Sequence, residues 1–136
     1  MLELQRVDDD WNLGFTVDVP AEWDLMPIAL PTIPSLSVKP EDPAIAEGTA
    51  LAITRVVSVN QGTVDSFEEA RRDGEPFVLA NYPNAEGWRV TPDSNTVEIS
   101  AVIGEEIVQF NFIDGNDTGL LDVAEEIASS YFATGS

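Results

Sequence analysis

The chain has 136 residues, with 25 acidic side chains against 6 basic ones, a formal charge of −19, and neither Cys nor His. That balance excludes nucleic acid and anionic membrane surfaces as partners, since both select a cationic face. It also removes thiolate metal sites and the two side chains that most often serve as nucleophile and neutral-pH base.

The length fits a single domain spanning 1–136, and the hydrophobic fraction of 43% is enough for a packed core. The opening residues, Met1 to Asp10, carry neither the basic stretch nor the apolar stretch of a signal peptide. The expected location is the cytoplasm, or outside it with the targeting segment absent from this chain. No apolar run approaches the ~20 residues that cross a bilayer, so no membrane insertion is expected. Asp8, Asp9 and Asp10 read as a solvated arm.

From Phe15 the pattern alternates: Phe15, Val17 and Val19 on one face, Thr16 and Asp18 on the other, with Pro20 ending the strand. In the next segment Pro27, Pro31, Pro34, Pro40 and Pro43 interrupt a greasy run. Prolines at this spacing forbid a long helix and a central strand. The segment is expected to be extended and partly polyproline-like. One reading is a flap over the core with one short edge strand. The other is a preordered apolar strip offered to a partner through Met26, Ile28, Leu30, Ile33 and Leu36.

Residues 49 to 57 predict a second strand. A helix follows, announced by Ser66 with Glu69, or Asp65 with Glu68, at capping-box spacing. Gly74 and Pro76 stop it. Phe77 to Tyr82 predict a short helix, and Trp88-Arg89-Val90 the start of another strand.

Residues 96 to 113 predict a hairpin turning at Gly104-Glu105 in a type II′ turn. Ile103 then faces Glu106, Ala101 faces Val108, Ile99 faces Phe110 and Val97 faces Phe112. Glu98, Ser100, Gln109 and Asn111 share the opposite face. A slip of one residue would bury Gln109 and Asn111, so the pattern fixes the register. Residues 119 to 132 predict an amphipathic helix with Leu120, Leu121, Ala124, Ile127, Ala128, Tyr131 and Phe132 in its stripe, capped by Asp117 or Thr118. Strands outnumber helices, and the last helix needs a sheet to cover it. The expected fold is α+β with a mostly antiparallel sheet and the C-terminal helix packed on it.

Phe15-Thr-Val-Asp-Val-Pro-Ala-Glu-Trp23, the capped helix, the long hairpin and the closing Ala128-Ser-Ser-Tyr-Phe132 together resemble the PsbP-like superfamily. The likeness runs along nearly the whole chain in order, through a short, loose motif. It is similar in particular to the bacterial LpqN-type lipoproteins and secretion chaperones, although it lacks a lipoprotein Cys. The resemblance implies an α/β/α sandwich and a role in binding or assembly. It transfers no functional residue.

Asp114 to Glu125 has the oxygen spacing of a calcium loop: Asp114, Asn116, Thr118, the Leu120 carbonyl, Asp122 and a bidentate Glu125. Thr118 replaces the usual Asp or Asn, and the incoming element is a strand. A β-turn feeding a capped helix uses the same residue types. Catalysis lacks a base-activated nucleophile, and Lys39, the one lysine, is held between Val38 and Pro40.

With little in the residues to support catalysis, what the resemblance implies is a non-enzymatic adaptor or chaperone without a cofactor. Its partner is another protein, basic or bearing an exposed apolar segment. A calcium-binding domain and an acidic, immunity-like inhibitor of a basic toxin are the alternatives. The acidity itself is either a solubilising coat or a surface for a basic partner.

Overall fold

The computed structural model describes residues 2–134. In chain order the elements are β1 (Leu4–Val7), β2 (Phe15–Pro20), β3 (Asp24–Ile28), β4 (Ser35–Lys39), α1 (Pro43–Ala46), β5 (Thr49–Val56), α2 (Gln61–Asp73), β6 (Glu75–Pro76), β7 (Gly87–Asp93), β8 (Thr96–Ile103), β9 (Glu106–Asp114), a 3₁₀ turn (Leu121–Val123), α3 (Ala124–Ser129) and β10 (Phe132–Ala133). They form an antiparallel seven-stranded sheet in the order β3-β4-β5-β9-β8-β7-β6 and a small sheet β1-β2-β10. The small sheet and α3 cover one face of the large sheet, and α2 covers part of the other. This is the expected α+β sandwich with a mostly antiparallel sheet and a C-terminal helix against it.

The core lies between the two sheets. Phe15, Val17 and Val19 meet Leu36, Val38, Leu51, Ile53, Phe110 and Phe112, and Ile127, Ala128 and Tyr131 close one side. Tyr131 stacks on Phe15 at 5.2 Å and meets Phe110 edge-on at 5.7 Å. Arg55 points into this core. It grips both Glu106 oxygens at 2.7 Å and donates to the Leu13 carbonyl at 3.2 Å, so its charge is paired as it is buried.

The hairpin forms as the alternation requires. Ile103 pairs with Glu106, Ala101 with Val108, Ile99 with Phe110 and Val97 with Phe112. Gly104 turns with φ +64° and Glu105 is not left-handed, as a type II′ turn demands.

Four local expectations are corrected. The helix starts at Gln61, not near Asp65. Its cap is Asn60, whose extended backbone lets its side chain accept from the Thr63 N–H at 2.9 Å. Residues 77 to 82 are not helical. Phe77 donates to the Gly87 carbonyl at 2.9 Å, which keeps the chain extended alongside β7, and Leu79 to Tyr82 is a turn. The predicted helix over 119 to 132 breaks into the 3₁₀ turn, α3 and β10. The edge of β2 captures Phe132 and Ala133 as a strand, which turns Phe132 outward.

The fourth correction concerns the proline-rich segment. It does contain an interior strand, because β4 pairs with β3 on one side and β5 on the other. Pro34 and Pro40 stand just outside β4, and Pro27 lies in the edge strand β3, so no ladder bond inside β4 is lost. Leu36, expected as a partner contact, is a fully buried core residue.

Candidate functional site

The seven-stranded sheet has an inner face, which is the core, and an outer face. The register sorts the side chains between them. Leu36 and Val38 point inward, so Ser35, Ser37 and Lys39 point outward. Across from Ser37 and Ser35 stand Met26 and Ile28 on β3, and Ala52 and Thr54 on β5. Beyond β5 come Asn111 and Gln109, then Glu98 and Ser100. Two cross-strand rows are Met26, Ser37, Ala52, Asn111, Glu98, and Ile28, Ser35, Thr54, Gln109, Ser100; beside them lie Asp24 and Lys39 on β3 and β4, then Ala50, Ile113 and Thr96 on β5, β9 and β8.

These two rows run from a large apolar residue at the sheet edge, through small residues, to polar ones, and the first ends on the acidic Glu98. Helix α2 overhangs the polar end. Phe67 anchors it by packing against Val56 and Ile107, and Arg71 sits 5.5 Å over the Phe67 ring. Gly74 lets the helix end abut β7, because a Cβ there would lie 2.6 Å from the Arg89 carbonyl oxygen. Between α2 and the sheet remains an open cleft of about 640 Å³, with Glu69 and Asp73 on the helix side and Glu98, Gln109 and Asn111 on the sheet side. Among the described residues neither Glu69 nor Glu98 is in an ion pair, while Asp73 is shared with Arg72 at 3.1 Å.

At the other end the apolar residues are bare. Met26 is 61% exposed, Ile28 43%, Leu30 48% and Ile33 41%, against 0% for Leu36. Four of the five sequence-derived contact residues are thus exposed, Met26 and Ile28 on the outer face of β3 and Leu30 and Ile33 in the connection to β4, and the fifth is buried. A groove of about 270 Å³ next to Met26, walled by Pro40, Pro43 and Ala46, extends this apolar end.

The free edge of β3 is blunted. The backbone N–H of Arg55 donates to the Pro34 carbonyl at 2.9 Å, so the even positions of β4 bond to β5 and the odd ones to β3. By the register, Leu25 and Pro27 then present their backbone to solvent. Pro27 has no N–H to offer there, which discourages strand addition.

The surface charge is one-sided. Every arginine is held in an ion pair: Arg6 with Asp8, Arg55 with Glu106, Arg71 with Glu68 and Glu86, Arg72 with Asp73, and Arg89 with Glu125. Two hydrogen bonds, from Arg71 first and Trp88 second, hold the Glu86 carboxyl below its ordinary range. Among the described residues Lys39 is the one cation outside any ion pair.

The 114 to 125 segment is arranged around hydrogen bonds. The Asp114 carboxylate accepts from the Thr118 N–H and hydroxyl, the Thr49 hydroxyl and the Leu120 N–H, at 3.0–3.2 Å. Burial pushes its pKa up, but these four donors outweigh burial and hold it below the ordinary value. Asp114 thus ties the loop ahead of the 3₁₀ turn, and neither Asp117 nor Thr118 caps a helix, since neither the 3₁₀ turn nor α3 has a side-chain cap. Asn116 donates to the Ile45 carbonyl at 2.7 Å and the Thr49 hydroxyl at 2.9 Å, and Glu125 pairs with Arg89 at 3.2 Å. Asp114 and Asp122 line a hollow of about 240 Å³ that Glu125 does not enter. Among the described residues no three acidic side chains converge as a metal would require.

No protein-family model matches the chain, and no curated protein sequence matches it. By shape it is similar to the solution structure of cyanobacterial PsbP (CyanoP) from Synechocystis sp. PCC 6803. The two share 11% identity, with 98% of this chain and 94% of that chain covered and a TM-score of 0.57. Among the described residues no helix is long and apolar enough to cross a membrane. At so low an identity the likeness speaks for architecture alone, and the architecture is that of a PsbP-like α+β sandwich.

Proposed function

We propose that this domain is a non-enzymatic adaptor or chaperone that captures another protein through the apolar strip at β3. The observation that carries the reading is the contrast within one segment. Met26, Ile28, Leu30 and Ile33 lie in solvent on a chain whose remaining free charge is almost wholly negative. Single exposed apolar residues are ordinary, but four within eight positions, Met26 and Ile28 side by side on one face, favour desolvation by a partner. Within the PsbP-like group we read the chain with the bacterial LpqN-type and secretion-chaperone members. A chaperone must shield an apolar client segment, and a cytoplasmic one would do so before export.

The test compares proteins retained by the wild type with those retained by a Met26→Asp/Ile28→Asp double variant of unchanged melting temperature. The reading predicts a partner enriched by the wild type and lost with the variant. The same retained set from both would end it.

A further inference from the structure

We infer that the occupant of the outer face is a cationic amphipathic segment of the partner, lying across the strands with its apolar end at Met26 and its Lys or Arg residues in the cleft under α2. This deepens the proposed function and rests on the apolar strip being a capture surface.

Three observations converge on it. First, the outer face is half covered. Helix α2 rests over β7, β8 and β9, whereas Ser37, Ala52 and Thr54 on β4 and β5 stay partly exposed, with only the single turn α1 at their border. A sheet face normally carries a second layer. Small side chains on its floor let an incoming backbone approach closely.

Second, two of the outer rows are graded. Met26 and Asn111 stand three strands apart in one row, about 14 Å at ~4.8 Å per strand, with Glu98 one strand further. An extended chain covers that first span in about four residues. An apolar anchor and a cation at that separation reach both ends at once. Glu69 above and Glu98 below give the cleft carboxylates that are in no ion pair, although Arg72 lies close enough to Glu69 to feel its charge.

Third, the alternatives fail on charge and on backbone. A second copy would bring another −19 with its arginines already paired. An added strand would meet Pro27, which offers no N–H on the free edge of β3. What remains is a partner that contributes side chains rather than a strand, and whose charge is opposite.

The probe is a fluorescent peptide of about 12 residues carrying Leu-Leu and, about four residues on, Arg-Arg. Two controls replace Arg-Arg by Glu-Glu or place it next to Leu-Leu. Titration into isotopically labelled protein, followed by amide NMR, should shift Met26, Ser37, Ala52, Asn111 and Glu98 together and leave α3 unchanged. The Glu69→Gln/Glu98→Gln variant should bind about tenfold more weakly, with a smaller loss of affinity on adding salt. The anionic control should not bind, and the close-spaced control should bind less tightly than the probe.

Equal binding of all three peptides overturns the inference, as does a shift map confined to β3. In either case a Met26→Asp/Ile28→Asp variant that still abolishes partner capture leaves the proposed function standing. Binding that tracks the cleft carboxylates but ignores Met26 and Ile28 overturns both.

Discussion

The β8–β9 hairpin and the β3–β4 arm are built from the same materials and use them in opposite ways. Each is an antiparallel pair in one sheet. In the hairpin, the inward positions are Val97, Ile99, Phe110 and Phe112, and the outward ones are Glu98, Ser100, Gln109 and Asn111. In the arm, Leu36 and Val38 point inward, while Met26 and Ile28 point outward as well. Apart from Ile113 at the end of β9, the hairpin hides its large apolar side chains, whereas the arm displays Met26 and Ile28. Stability accounts for the first arrangement and does not account for the second, so the arm is where function is to be sought.

The sharpest break in this comparison lies inside the arm. Leu36→Asp buries an unpaired charge in the core and should abolish folding at ordinary temperature, seen as loss of the cooperative melt by circular dichroism. In the hairpin, Phe110→Ala should cost about 3–5 kcal/mol in urea unfolding, as large-to-small core changes do.

Asp114→Ala should cost about 2–3 kcal/mol, since it strands the Leu120 and Thr118 donors next to the core. The sign of its pH dependence follows from its lowered folded pKa. The stabilisation is complete above the unfolded value, about 4, and is lost as the pH falls through that value and below. Unfolding curves between about pH 5 and pH 3 should therefore converge for wild type and Asp114→Asn. Gly74→Ala should cost about 1–3 kcal/mol by pushing α2 off β7. At the small end, Met26→Asp should change stability by no more than about 0.5 kcal/mol. If it unfolds the domain, the arm is core and the comparison collapses.

The hairpin and its register were legible in sequence because one periodicity and one glycine turn acted over adjacent residues. The opening strand was legible for the same reason, with Phe15, Val17 and Val19 all buried. The closing stripe was legible as a mostly buried set, Phe132 excepted, but not as one helix. Whether Phe132 is helical depends on the free edge of β2, over a hundred residues away.

Prolines misled at β4, because their effect depends on which backbone direction each N–H takes, and Pro34 and Pro40 fall just outside the strand. Leu36 could not be told from Met26 and Ile28 by hydrophobicity. The pairing that separates them is a tertiary fact. The cleft under α2 joins residues from 66 to 111. The sequence signal for it was present only in half, as the polar face of the hairpin. The pairing of every arginine was likewise invisible without coordinates.

The most direct test uses Met26 as its own reporter. Peroxide converts an exposed methionine to its sulfoxide at a rate set by access, and mass spectrometry reads the site. The account predicts rapid oxidation of Met26 in the free protein and strong protection once the cationic apolar peptide is bound. A Met26 that is already protected in the free protein, or that oxidises equally fast with the peptide bound, would contradict it.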